Sequence, residues 1–372
     1  LNVDEIVKKI GTKNLIIIGI GFASVIACII IGALIYHSFF YKKSFSEIEG
    51  IMTNAAYNYY AKHEEELPKN SGDKVTLGVS TLVQGEYMKT FNEYLKDDTI
   101  SCKGSVNVTN SNGEYRYVPL LDCGKNYSYQ LLTSRIRNKQ KIVNSGNGLY
   151  NLNGSLVYRG ERINNYVKFA GFNWRIVKII DNKIMLIYND ENPTNMVWDD
   201  RYNPEREGND GINDYSVSRI KDSIDDLYNS NDMFDDDEKL LLSKFDLYAG
   251  KIGENDNDKD GNLAKGTVIE NQYMGLLNIS DFMNASLDTK CTNAANPSCS
   301  NYNYLASFDN YNWWSLTADK DTTYNVYQID DTSGAYTQTA SYDGYLRPVI
   351  MITSDAIYTG GNGSSSKPYT FK

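Results

Sequence analysis

Residues 102–123 read CKGSVNVTNSNGEYRYVPLLDC, and the way this stretch pairs with itself sets the first piece of architecture. Asn112-Gly113 is a strong two-residue hairpin turn, flanked by Val106-Asn107-Val108 and Tyr115-Arg116-Tyr117. With that turn, Val108 faces Tyr117, Val106 faces Pro119, Gly104 faces Leu121 and Cys102 faces Cys123. These pairs share the apolar face, while Ser105, Asn107, Thr109 and Arg116 take the other. Counted from the turn they are non-hydrogen-bonded pairs, whose Cα separation of about 4.5 Å lies at the short edge of the disulfide range. A Cys102–Cys123 disulfide is predicted. Pro119 fits this register only if its strand is a sheet edge.

Working toward the N-terminus, Val75 to Leu77 reads as a strand, and Ser80 as the cap of a helix through Leu82, Tyr87, Met88, Phe91 and Leu95. Phe45, Ile48, Met52, Ala55, Ala56 and Tyr59 recur at helical spacing, with a stop at Leu67 before Pro68. Residues 44–143 are thus expected to form a stalk helix and a small, disulfide-clipped α+β domain. Before them, Leu15 to Tyr36 (LIIIGIGFASVIACIIIGALIY) carries no charge. As a helix it would reach about 33 Å, enough to cross a hydrocarbon core of ~30 Å. Residues 15–36 are therefore read as a transmembrane helix, residues 1–14 as a cytoplasmic tail, and the rest as extracellular at the plasma membrane. Lys8, Lys9 and Lys13 on the near side, and the paired outer cysteines, set that orientation. Val25-Ile26-Ala27-Cys28 also fits a lipid-modified cysteine, although apolar residues continue to Tyr36. The span is similar to the membrane helix of type IV pilins but lacks their processing site, since Gly11 is followed by Thr12 and Lys13. Gly19, Ala23 and Ala27 form a small-residue stripe suited to a homo-oligomer of spans.

Toward the C-terminus, Asn144-Ser-Gly-Asn-Gly148 is a break and the expected domain boundary. Short strands follow at 155–158, 167–169, 174–180 and 184–188. Val217, Ile220, Ile224, Leu227 and Tyr228 mark a helix capped by Ser216 or Asp214, and Asp232 or Asp235 begins another. Strands return at 324–329, 335–340 and 346–352. Cys291 and Cys299 flank a Pro-containing loop and read as a second clip.

Tyr158-Arg-Gly, Asn164-Asn-Tyr-Val, Gly171-Phe-Asn-Trp-Arg-Ile, Trp313-Trp-Ser-Leu, Tyr345-Leu-Arg-Pro-Val-Ile and Gly361-Asn-Gly-Ser…Lys367-Pro-Tyr occur in that order. In this the chain resembles an uncharacterised surface domain of low-GC Gram-positive bacteria. That family is in turn similar to the C-type-lectin-like fold shared with formylglycine-generating enzymes. The resemblance implies a C-type-lectin-like domain over residues 147–372, rich in short antiparallel strands, and an α+β class for the whole. The reactive cysteine pair of formylglycine-generating enzymes has no counterpart after Trp313. Glu191-Asn192-Pro193 and Trp198-Asp199-Asp200 only scramble the calcium motifs of sugar-binding lectins.

The only two histidines are His37 and His63, so residues 147–372 lack an imidazole for a triad or a zinc site. A net charge of −10 and the absence of a phosphate loop argue against nucleic acid as a partner. The chain is therefore expected not to be an enzyme. Tyr302, Tyr304, Tyr311, Trp313, Tyr336 and Tyr342 are the candidate ligand-binding residues, because rigid aromatics among polar neighbours suit recognition. The expected function is a lectin-like recognition module for a glycan or protein ligand, against the alternative of a component of a pilus-like or envelope assembly. Asp256, Asp258, Asp260 and Asn262 alternate around Gly261 like the first half of a calcium loop, which makes calcium the expected cofactor. Thr267 stands where a full loop of that type needs a bidentate Glu.

Overall fold

The computed structural model describes residues 25–32 and 41–372, apart from positions 71, 112, 192, 307 and 309. The chain divides into two compact units, one up to Ser128 and one from Tyr129 onward.

In the first unit, helix α1 (Phe45–Tyr60) opens on a capping box. Ser44 Oγ accepts from the Glu47 amide, and the Glu47 carboxylate accepts from the Ser44 amide. That backbone hydrogen bond, foremost, holds the Glu47 carboxyl below the usual carboxylate range. The helix buries Ile48, Met52, Ala55, Ala56, Tyr59 and Tyr60 along the stripe expected of it. It is followed by β1 (Lys74–Gly78), α2 (Val79–Gln84), α3 (Phe91–Leu95), β2 (Lys103–Ser111) and β3 (Glu114–Asp122). The single helix expected from Ser80 to Leu95 is two helices instead. Gly85 closes the first, and Thr90 opens the second with its own capping box to Glu93.

The three strands form one antiparallel sheet in the order β1-β2-β3. Its register is the one the hairpin stretch dictates: Gly104 opposite Leu121, Val106 opposite Pro119, Val108 opposite Tyr117, with Ser111–Glu114 as the last pair. β3 is an edge strand, which is why Pro119 is tolerated there. The Cys102–Cys123 disulfide closes the open end of the hairpin, with Cα atoms 4.0 Å apart.

Gly104 stands where the sheet meets the helices. A Cβ at this position would lie 2.7 Å from the tip of the Phe91 ring and 3.0 Å from both Met52 and Val79. Gly→Ala in a strand ordinarily stabilises through the unfolded chain. Here overpacking outweighs that gain, and Gly104→Ala is expected to destabilise the first unit by about 1–3 kcal/mol. Chemical denaturation checks it, and an unchanged or higher midpoint would show that Phe91 has room to yield.

Among the described residues no helix is long and apolar enough to cross a membrane. The expected transmembrane helix over residues 15–36 is therefore not borne out by the described residues. Of the 15–36 stretch, residues 25–32 are helical and exposed, and the remainder lies outside the described residues. α1 carries Glu47 and Glu49 and folds its apolar face into the first unit.

The second unit begins earlier than the Asn144–Gly148 break. Helix α4 (Leu132–Lys139) buries Leu132 and Ile136, and the Leu132 amide donates to Ala356 O at 2.8 Å. Tyr358 N donates to Gln130 O, and Gln140 Nε2 to Asn164 O. The Gly/Asn/Ser break is therefore a loop inside this unit, where Asn147 Oδ1 accepts from the Glu161 amide.

The strands that follow are β4 (Gly148–Leu152), β5 (Ser155–Arg159), β6 (Tyr166–Phe169), β7 (Phe172–Ile180), β8 (Lys183–Tyr188) and β9 (Asn195–Val197). Helices α5 (Arg219–Asn229) and α6 (Asp236–Lys239) come next, then β10 (Phe245–Tyr248), β11 (Lys251–Ile252), β12 (Val268–Gln272) and β13 (Met274–Gly275). Helix α7 (Ile279–Ala285) precedes β14 (Trp313–Asp319), β15 (Asn325–Asp330), β16 (Gly334–Thr339), β17 (Asp343–Tyr345) and β18 (Val349–Ile352). A last hairpin is made by β19 (Tyr358–Gly360) and β20 (Thr370–Phe371). Two sheets dominate. One runs β13-β18-β8-β7-β5-β4 with β6 also on β7, and the other β16-β15-β14-β17-β9 with β11 on β14. Most pairings are antiparallel, so the chain is mixed α+β with many short strands, as its sequence leads one to expect. All four tryptophans lie in the core of this unit, each with 0% exposure, so none is available to a surface ligand.

Candidate functional site: a carboxylate-lined cleft at Tyr302

The six aromatic residues expected to form a recognition surface do not share a face. Tyr302 and Tyr342 are exposed, Tyr311 and Tyr336 half-buried, and Tyr304 and Trp313 buried. The Tyr304 hydroxyl donates to Ile176 O at 3.1 Å, and its ring lies 4.8 Å from the Arg175 guanidinium. Burial pushes that hydroxyl well above the ordinary tyrosine range. The Trp313 ring lies 4.9 Å from the Arg347 guanidinium, and Tyr311 leans on Tyr345 with ring centroids 4.3 Å apart. Tyr336 donates to Gln328 Oε1. Tyr304 and Trp313 thus belong to the core, which corrects their assignment as ligand contacts.

The motifs that carry the family resemblance converge on the same interior. Arg175 Nε donates to Asn165 Oδ1 at 2.6 Å, and Asn165 Nδ2 donates to Ile176 O. Arg347 donates to Tyr188 O, Leu305 O and Asn189 Oδ1 at 2.9, 2.9 and 3.0 Å. The Tyr166 amide donates to Gly363 O, tying the last motif to the second. These polar side chains build a framework rather than a site. Trp198 and Asp199 do likewise: Trp198 Nε1 donates to Ser315 O, and buried Asp199 pairs with Arg201 at 2.8 Å while accepting the Ile212 amide.

The acidic loop also has internal partners. Asp256 accepts from Gly253 N at 2.8 Å and Lys320 Nζ at 2.7 Å, and the Lys320 hydrogen bond chiefly holds its carboxyl below the usual range. Asp258 is 1% exposed and takes the Leu263 and Ala264 amides on its two oxygens. Burial pushes its pKa up against those amide bonds. Asp260 accepts from the amide and side chain of Asn262, and Gly261 turns the chain at φ +68°. Among the described residues, no group of three or more His, Cys, Asp or Glu side chains stands together as a metal cluster. The alternating acids thus accept from backbone amides, the Asn262 side chain and a lysine, which caps the loop from within.

The exposed member of the aromatic set that does border a cavity is Tyr302. A cleft of about 510 Å³ is lined by Glu161, Asp288, Asn301, Tyr302, Asn303 and Asp331, with Ser300 and Ala306. The Cys291–Cys299 disulfide and the 3-10 turn Pro297–Ser300 hold its wall. Asn303 is buried, donating to Phe282 O and Cys299 O and accepting from Leu305 N, which pins the floor. Ser300 Oγ donates to Asp330 O, fixing the side that carries Asp331. Within this frame Tyr302 has φ +50° and is 62% exposed. A bulky residue in the left-handed region is an outlier, and such conformations persist only where the surroundings over-determine them.

Asp288 accepts from Asn301 Nδ2 and the Lys290 amide, each at 2.8 Å. The Asn301 hydrogen bond, foremost, keeps its carboxyl below the usual range, so it is anionic at neutral pH. Glu161, Asp288 and Asp331 bring three acids to the cleft, and no lysine or arginine is among its described lining residues. The contributing residues span positions 161 to 331 and leave no local pattern in sequence. The cysteine pair beside the cleft was the one legible signal.

No family model, curated protein or solved structure matches this chain. Nothing from those comparisons carries the likeness to the lectin-like fold.

Proposed function

We propose that the second unit is a non-catalytic recognition module whose Tyr302 cleft receives a neutral polyhydroxyl ligand, a carbohydrate. The observation that carries this reading is an exposed tyrosine, held at a left-handed φ, on the rim of a cleft lined by carboxylates and amides. A tyrosine face packs on the C–H face of a sugar ring, while its hydroxyl stays solvated. Carboxylates accept hydrogen bonds from sugar hydroxyls more strongly than neutral acceptors do. The same three acids disfavour an anionic ligand, so acidic sugars are the wrong class.

Tyr302→Gly separates recognition from folding. Glycine adopts φ +50° without the Cβ penalty, so the thermal transition is expected to hold or rise. Affinity for a neutral oligosaccharide found on a glycan array is expected to drop about tenfold or more, the loss of roughly 1.4 kcal/mol of ring contact. Tyr342→Ala, at the other exposed member of the six expected aromatics, should leave binding unchanged. Unaltered affinity in Tyr302→Gly, or an array response confined to acidic glycans, would refute the reading.

A further inference from the structure

A second cavity in the same unit has the opposite electrostatic character. Its floor is the end of β7 and one side of α7, where Lys178 Nζ meets Asp281 Oδ1 at 2.6 Å with side-chain exposures of 19% and 9%. On one side of this ion pair lies a cavity of about 490 Å³, and on the other one of about 330 Å³; Lys178 and Asp281 line both. The self-capped loop around Gly261 forms the outer wall of the larger cavity.

Three lysines line the larger cavity: Lys178, Lys259 and Lys265. Lys178 is neutralised by Asp281, and Lys265 donates to Asn262 Oδ1 at 3.2 Å. Lys259 differs, because among the described residues no hydrogen bond or ion pair reaches its ammonium. It is half-buried, and desolvation, followed by the nearby Arg159, pulls its pKa below the ordinary lysine value while Asp288 opposes this. Arg159 itself is engaged, donating to Asn284 O and Ser286 O and stacking on Tyr150. Of the two acids on the lining, Asp281 is neutralised by Lys178, while Asp260 keeps its charge and is held by the neutral Asn262 amide. The lining thus sets three lysines against two carboxylates and includes the partly desolvated Lys259, whose ammonium has no ion pair among the described residues, on a cavity whose other walls include Leu152, Val157, Ile180 and Tyr248.

We infer that this cavity binds a small organic carboxylate, with the anion on Lys259 Nζ and an apolar body against Val157, Ile180 and Tyr248. A charge-assisted hydrogen bond to a partly buried ammonium is about twice as strong as a neutral one. Apolar walls with one converging charged group are the usual build of a small-molecule site. The free C-terminus of a short apolar peptide and a short-chain fatty acid share this chemistry. The inference is independent of the Tyr302 cleft.

The test uses the full chain and three probes in calorimetry or ligand-observed NMR: hexanoate, N-acetyl-Ala-Leu with a free carboxylate, and the same dipeptide as its C-terminal amide. At least one acid is expected to bind, and the amide at least tenfold more weakly than the acid dipeptide if the natural source is a peptide. Tighter binding of hexanoate than of either dipeptide would assign the fatty-acid source. Lys259→Gln should weaken the bound acid at least tenfold, while Lys265→Gln stays within twofold, which separates a specific contact from a change in net charge. The inference is overturned if neither acid binds at several millimolar, if hexanoate fails and acid and amide bind equally, or if Lys259→Gln leaves the affinity unchanged. The acid–amide comparison on the unaltered chain stands whether or not the variant folds.

Discussion

Arg347→Leu is expected to lower the thermal transition of the second unit by about 10 °C, the largest effect of any single substitution considered for this chain. Arg347 is fully buried, and its guanidinium lies over the rings of Phe308 at 4.3 Å and Trp313 at 4.9 Å. Its Nε, Nη1 and Nη2 donate to Tyr188 O, Leu305 O and Asn189 Oδ1, so one planar group fastens strand β8 to the 303–306 segment. Leucine fills much of the volume but leaves those acceptors without a donor. Each orphaned buried acceptor costs about 1–3 kcal/mol, which together gives roughly 3–5 kcal/mol once the site relaxes. Arg347→Lys is the informative control. One ammonium cannot reach acceptors arranged around a planar fork, so lysine should recover less than half of the loss. A fall below 3 °C in Arg347→Leu would mean that water replaces the guanidinium at little cost.

The same residue shows why motifs were legible in the sequence while their meaning was not. Tyr345-Leu-Arg-Pro-Val-Ile and Gly171-Phe-Asn-Trp-Arg-Ile stand out because they mix aromatics with arginine inside apolar runs. That mixture is how a buried polar framework looks in one dimension, since Arg175 and Arg347 each need neighbours that are apolar and still offer carbonyls or amides. Aromatic density misled for a related reason. Tyr304 sits in a turn folded over Ile176, and Trp313 opens a strand that is buried along its whole length, so neither reaches the surface. Tyr302, in a turn at positive φ, is exposed beside a cleft. Backbone handedness at a single non-glycine residue has no sequence signature. The lining acids Glu161, Asp288 and Asp331 come from three separate loops, and their meeting depends on the whole fold.

Local chemistry was legible wherever one short-range rule dominated. The hairpin register follows from turn type and period-2 alternation, and the stripe of α1 from spacing of three and four residues. The break between α2 and α3 was not legible, because the apolar spacing runs on through Tyr87 and Met88. What ends the first helix is Gly85 followed by Glu86 at φ +60°, with Thr90 supplying a new cap. The boundary near Asn144 failed on the same ground. A Gly/Asn/Ser run marks a loop, and only the hydrogen bonds of α4 to the C-terminal segment decide on which side of a unit that loop falls. The alternating acids around Gly261 fit a metal loop and a self-capped loop equally well in sequence. The partners those acids take, such as the Leu263 and Ala264 amides on Asp258, are visible only once the chain is folded.

Removing the Cys102–Cys123 disulfide should have the larger effect of the two bridges, although the second unit is the bigger. The cysteines are 21 positions apart, against 8 for Cys291–Cys299. In the chain-entropy account, cross-linking restricts the unfolded ensemble more as the loop lengthens, which gives about 3 kcal/mol for the first bridge and about 2.5 kcal/mol for the second. The difference grows when it is converted to temperature. A small unit has a small unfolding entropy, so each kcal/mol moves its transition by about 4–8 °C, against about 2–4 °C in a unit the size of the second. Cys102→Ala with Cys123→Ala is therefore expected to lower the first transition by about 12–24 °C. Cys291→Ala with Cys299→Ala should lower the second by about 5–10 °C. Calorimetry on both double variants, beside the unaltered chain with and without a reductant, reads both values. The hairpin itself should survive in the first variant, because Val106, Val108 and Leu121 remain buried against α1 and the ladder needs no cross-link. Loss of the sheet, or a shift below 3 °C, would show that the bridge acts on the folded state or not at all, contrary to an unfolded-state origin.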